Sequence, residues 1–232
     1  MDNKPSATVD NYERTTVKQI YDTVFSDLFK DKKYLLDLYK TLHPEDLSAS
    51  ESELDFITIS NVLVRDIYND LGFTVGDRLM ILVEAQSTWS PNIVIRIIEY
   101  LGETLKRYYH NTRENLYLPT KVVLPKPEFY VIYTGDRKER QEYISLEDEF
   151  FNDNSYFLNA RAKVIYPDDS KSIINQYITY TKVIKEQIAI YGRTEKAVRE
   201  AIIICKNRDI LRVESRGQVT LKFYKLGKGY CI

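Results

Sequence analysis

Asp70, Glu84 and Gln86 combine oxygen-rich side chains with a spacing that suits catalysis. Glu84 and Gln86 close the run Leu79-Met80-Ile81-Leu82-Val83-Glu84-Ala85-Gln86, whose first five residues are all apolar. In a strand, residues two apart project from one face, so Glu84 and Gln86 share a face and Ala85 points away. A carboxylate ending an apolar strand is expensive to bury unless it is paired or binds a cation. Asp70 opens the preceding segment, Asp70-Leu71-Gly72-Phe73-Thr74-Val75, and Gly76-Asp77 supplies a turn. Asp70 lies six residues before Gly76 and Glu84 seven after Asp77, so a hairpin sets the two acids side by side at its open end. Carboxylates held that close repel unless a cation sits between them or one is protonated. Mg²⁺, or Mn²⁺ in its place, takes oxygen ligands of this kind, and the backbone carbonyl of Ala85 would add another. A metal so held activates water and stabilises charge on a phosphodiester. The structural alternative for the same residues is an ion pair or a hydrogen-bonded strand end.

The surrounding pattern supplies elements to position them. Thr16 and Gln19 fit a capping box, and Ile20, Val24 and Leu28, with Phe25 and Phe29, have helical spacing to about Lys32. A second helix is expected over Tyr34–Leu42, broken by His43-Pro44, and the acidic stretch from Glu45 reads as a surface loop over 44–54. Phe56 to Leu63 reads equally as a strand or a short helix. Leu71–Val75 and Leu79–Ala85 read as strands, the second of the kind buried on both faces. Ser90-Pro91 marks a helix start, with Ser as N-cap, and Asn92–His110 carries the stripe Ile93, Ile97, Tyr100/Leu101, Leu105 and Tyr108. Pro125 and Pro127 lead into a strand over Glu128–Tyr133, and a charged loop spans 136–142. Ser145–Phe150 suits a short turn or helix, and Ala162–Tyr166 a strand. Helices over Ile173–Tyr191 and Thr194–Asn207 meet at Gly192, with Thr194 as N-cap. The expectation is a mixed α/β fold: a lead-in over 1–15, a core over 16–170, a helical segment over 171–211 and a tail over 212–232.

Composition narrows the classes. The chain has 232 residues, 44% hydrophobic and 29% charged, which suits a globular domain. No apolar run reaches the roughly 18 residues of a membrane span, and the polar start lacks the apolar core of a secretory signal. Cys205 and Cys231 make no disulfide framework, so a reduced, cytoplasmic protein is expected. The two histidines, His43 and His110, do not stand near a cysteine in zinc-ligand spacing. Formal net charge is −1, yet from Ile190 onward ten Lys/Arg face four acids. Solvated faces account for that bias without invoking a ligand.

The stretch NDLGFTVGDRLMILVEAQSTWSPNIVIRIIEYL resembles the core of the Rpn family, recombination-promoting nucleases and transposase-like proteins of the PD-(D/E)XK superfamily. The resemblance extends to YDTVFSDLFKDKKYLLDLYKTLHPEDL upstream and to LPKPEFYVIYTGDRKER, ISLEDEFF and YGRTEKAVREAIIICKNRDIL downstream, covering about residues 20–211. It implies a restriction-endonuclease-like αβββαβ core, with a mixed central sheet flanked by helices, followed by C-terminal helices. It also implies Mg²⁺-dependent DNA cleavage linked to recombination, transposition or phage defence. Asp70 resembles the motif Asp and Glu84 the second acid, both metal ligands. Gln86 stands where the superfamily usually has Lys; it orients water by hydrogen bonds but brings no charge. The rival expectation is a catalytically degenerate nuclease fold that binds nucleic acid or a partner.

Asp22, in YDTVFSDLF, resembles the helix-borne acid near a metal-bound water, with Asp27 a weaker candidate and a solvent-facing helix acid the plain alternative. Arg96 and Tyr100 are four apart on one helix face and would contact phosphate, although Tyr100 also fits the core stripe. Lys106, Arg107 and Arg113 suit further phosphate contacts, with solvation as the default. Trp89 suits packing where the chain turns. DNA is the expected partner, with no membrane and with room for a homodimer. After about Leu211 the tail loses the resemblance and any helical stripe, which a truncated or frameshifted end would explain.

Overall fold

The computed structural model describes Phe25 and residues 28–57, 70–112, 115–151 and 158–211. The elements run α1 (Lys32–Leu42), β1 (Leu54–Ile57), β2 (Asp70–Val75), β3 (Leu79–Gln86), α2 (Ile93–Thr112), β4 (Lys126–Tyr133), β5 (Tyr143–Ser145), β6 (Arg161–Ile165), α3 (Ile173–Tyr191) and α4 (Glu195–Asn207). Thr16, Gln19, Asp22, Asp27, Arg113, most of Phe56–Leu63 and the tail over 212–232 lie outside the described residues.

The β2–β3 hairpin organises the sheet. Gly76 takes a φ of 51°, a left-handed conformation that glycine adopts without steric cost. The Arg78 N–H donates to the Val75 carbonyl at 3.2 Å and closes the loop. β1 pairs antiparallel to β2 on one side, while α2 carries the chain back so that β4 runs parallel to β3. β6 lies parallel to β4, and β5 closes the edge antiparallel to β6. The order is β1-β2-β3-β4-β6-β5, a six-stranded mixed sheet. Pro127, which cannot donate to a ladder, sits in the part of β4 that pairs with β3 alone, since β6 joins only from Tyr130.

Two apolar clusters sandwich the sheet. On one face Ile81, Val83 and Ala85 of β3 and Tyr130 and Ile132 of β4 meet α1, α3, Phe25 and Phe29, with Ala201 and Cys205 of α4 outside them. On the other face Ile93, Val94 and Ile97 of α2 meet Val131, Tyr133 and Val164. The parity of each strand decides the face. Burying a side chain such as Phe73 or Ile81, both 0% exposed, contributes roughly 1.5–3 kcal/mol. Cys205 is a free thiol in this core, and burial pushes its pKa up to about 11. No helix among the described residues is long and apolar enough to cross a membrane.

Several boundaries differ from the sequence reading. α1 begins at Lys32 because the Asp31 carboxylate caps it, accepting from the Lys33 N–H at 3.0 Å. β1 begins at Leu54, inside the expected acidic loop, because it has β2 to pair with. α2 proper starts at Ile93: Ile93 and Val94 N–H groups bond to Ser90 and Pro91 carbonyls, and the Arg96 N–H donates to the Asn92 carbonyl. Its buried stripe is Ile93, Val94, Ile97, Tyr100 and Thr104, leaving Leu105 and Tyr108 half-buried. The three-residue β5 carries no periodic signal and takes Ser145 from the turn or helix expected over Ser145–Phe150, which forms at Glu147–Phe151. Thr194 caps α4 as expected, accepting from the Ala197 N–H at 3.4 Å.

Candidate functional site

The hairpin register sets Asp70 opposite Glu84, as its turn position requires. β3 then carries Glu84 and Gln86 on the face that α2 crosses. Glu84 is 5% exposed at the end of a strand buried on both faces. Such a carboxylate needs a counter-charge, and α2 delivers one: Arg96 Nη1 lies 2.6 Å from Glu84 Oε1. Arg96 in turn donates from Nε and Nη2 to the Tyr100 hydroxyl, at 3.2 and 3.1 Å. Tyr100 is 3% exposed, so it acts here as a core residue that orients Arg96, away from any surface phosphate. A narrow cleft beside Glu84 is walled by Leu82, Ile97 and Tyr100.

The other candidates lie further along the strand and the helix. Gln86 is half-buried at the strand end, and its main-chain oxygen accepts from the Thr134 N–H at 2.9 Å. Lys106 and Arg107 lie on α2 about 15 Å along the axis from Arg96. Lys106 is exposed, 4.0 Å from Glu103, and Arg107 is half-buried. Among the described residues no group of three His, Cys, Asp or Glu is gathered for a metal ion. A hard cation would meet the Glu84 carboxylate and the Ala85 main-chain carbonyl, at the ladder position that faces Asp70. That oxygen chemistry fits Mg²⁺.

Sequence reasoning missed a second polar cluster, on the opposite face near the start of β4. His43 Nε2 lies 2.8 Å from Glu128 Oε2, and Nδ1 lies 3.0 Å from Glu45 Oε1. The Tyr130 hydroxyl donates to Glu128 Oε2 at 2.9 Å, and Lys126 Nζ reaches Oε1 at 2.7 Å. Tyr39 stacks on His43 and donates to Asp46 Oδ2 at 2.8 Å, which also meets Arg78 at 3.2 Å. Burial would raise the Glu128 carboxyl, but the hydrogen bonds from Lys126 and Tyr130 and the nearby His43 outweigh it and lower the pKa. Burial, then the bond to Glu128, pushes the Tyr130 hydroxyl well above its usual range. Burial and the bond to Asp46 push Tyr39 up to about 12. Hydrogen bonds from Ser48 and Tyr39 hold Asp46 well below the carboxylate range. In sequence His43 signalled only a helix end; its partner Tyr130 is 87 residues away, and no local pattern announces that contact.

No protein-family model matches the chain, and neither the curated proteins nor the solved structures hold a match.

Proposed function

We propose that the protein is a metal-dependent DNA endonuclease with a PD-(D/E)XK-type core, acting in the cytoplasm in recombination, transposition or phage defence. The observation that carries the reading is the ladder that sets Asp70 opposite Glu84 at the open end of a hairpin. The succession β1, β2, β3, α2 and a parallel β4 also runs in the order such a core requires. Asp70, Glu84 and the Ala85 carbonyl would hold Mg²⁺, which when bound supplies Lewis-acid activation of water. Arg96 orients the Glu84 carboxylate, and Tyr100 fixes Arg96. Gln86, two residues on along the same face, positions water by hydrogen bonds. Lys106 and Arg107 suit the phosphates of a longer DNA segment, on which two copies of the chain would act as a homodimer.

One observation favours a second reading, a nuclease fold that binds DNA without cutting it. The Arg96 guanidinium, at 2.6 Å, already gives Glu84 the counter-charge that a cation would provide. Plasmid nicking with Mg²⁺ separates the two. Under the first reading, EDTA abolishes nicking, and Glu84→Gln or Asp70→Asn lowers it by more than the 10–100-fold typical of outer-shell changes. Both variants are checked for folding by circular dichroism. Nicking by Glu84→Gln at the parent rate sinks the assigned site, and DNA binding without Mg²⁺-dependent nicking establishes the second reading.

A further inference from the structure

The three parallel strands end side by side, and their last residues form a row beside the candidate site. Gln86 pairs in register with Tyr133, and Ile132 with Ile165, so Tyr166 follows next to Tyr133. The Tyr133 and Tyr166 rings meet edge to face at 5.8 Å, and Trp89, just past β3, meets Tyr133 at the same distance. Tyr133 is buried and forms the floor, while Trp89 and Tyr166 are half-buried. Two arginines of the loop after β4 lie over the row: Arg137 at 4.0 Å from the Trp89 ring centre and Arg140 at 5.5 Å from that of Tyr166. Gly135 lets the loop approach, because a Cβ there would strike the Ser87 main-chain oxygen and the Tyr133 ring.

Open α/β sheets bind ligands outside the carboxyl ends of their parallel strands. Alternating aromatic rings and guanidinium planes at such an edge suit unpaired bases, which stack on both with little regard to sequence. A base pair in a duplex keeps its faces hidden and cannot use such a row. The local charges nearly balance: Asp136 meets Lys185 at 3.5 Å, and the exposed Glu139 meets Arg137 at 3.0 Å. An exposed pair of that kind is worth little, so a phosphate can displace Glu139. Glu84 lies about 7 Å back along β3 from Gln86, which brings a strand laid on the row to the candidate site.

We propose that Trp89, Tyr166, Arg137 and Arg140, resting on Tyr133, form a stacking platform that takes an unpaired nucleic-acid strand and feeds it to Glu84 and Gln86. The identity of the polymer rests on the nuclease reading. Trp89 is the single tryptophan of the chain, so its fluorescence reports on the platform alone. The full chain is titrated in EDTA with a thymidine oligomer of about twelve nucleotides, within the range of such sites, and with a duplex containing that sequence. The expected result is quenching of Trp89 emission by the single strand and binding at least about fivefold tighter than the duplex. Binding weakens as salt is raised, because Arg137 and Arg140 meet phosphates as well as bases. By anisotropy of a labelled oligomer, Arg137→Gln and Tyr166→Leu, which keep side-chain bulk, each weaken binding about fivefold or more. Duplex binding as tight as the single strand, absence of binding, unchanged Trp89 emission on binding, or parent-like affinity in both variants overturns the platform. Mg²⁺-dependent cutting with no Trp89 response would sink the platform and spare the nuclease. Strand binding without cutting would do the reverse.

Discussion

Glu84 and Glu128 are both carboxylates on the central strands, yet their surroundings differ in burial and in partners. Glu128 is met on both oxygens, by Lys126 at one and by Tyr130 and His43 at the other. Those donors come from its own strand and from the end of α1, and they tie that helix to the sheet. Its lone pairs serve the scaffold. Glu84 is more deeply buried and meets Arg96 through one oxygen, at the strand end where the sheet's parallel edge opens. Many partners at moderate burial make a structural hub. The close guanidinium at deep burial holds the Glu84 carboxylate in one orientation.

Three substitutions sharpen that contrast. The largest effect is expected for Arg96→Ala, which takes the guanidinium from a buried carboxylate and costs about 3–5 kcal/mol in urea unfolding. A loss below about 1 kcal/mol would mean that the pair behaves like a surface ion pair. Tyr130→Phe follows: it removes the hydroxyl's bond to the charged Glu128, about 1.5–3 kcal/mol, together with its contact to His43, while Lys126 and His43 still hold Glu128. A larger loss than that of Arg96→Ala would reverse the ranking of the two regions. The smallest effect is on pH dependence at Asp46, whose pKa is lowered by Ser48 and Tyr39. A lowered folded pKa gives stability that is present above the unfolded value, near 3.8, and lost as pH falls toward the folded one. Asp46→Asn therefore flattens the acid limb of stability against pH. An acid limb as steep as the parent's would remove Asp46 from the network.

Much of the fold follows from local chemistry. Gly76-Asp77 and the apolar run that follows bring Asp70 to Glu84, because a hairpin's register is dictated by its turn and by which face is buried. Gly192 and Thr194 delimit α3 and α4 for equally local reasons. The pairing of Glu84 with Arg96 was half legible. Arg96 and Tyr100 share a face by helical spacing, but the reading aimed them at phosphate, since nothing local says which strand that face will meet. β5 and the link from His43 to Glu128 were not legible. The strand is too short for a period, and the link depends on where α1 ends above β4.

The sequence by itself determined the α/β class, the hairpin with its opposed acids and the carboxylate that needs a counter-charge, because turns, periodicity and the cost of burial act over a few residues. Only the tertiary structure decided that Arg96 supplies that charge, and that Gln86, Tyr133 and Tyr166 stand in one row. These contacts join distant segments. They are set by how α2 crosses the sheet and by the parallel register of β3, β4 and β6, which no local preference encodes.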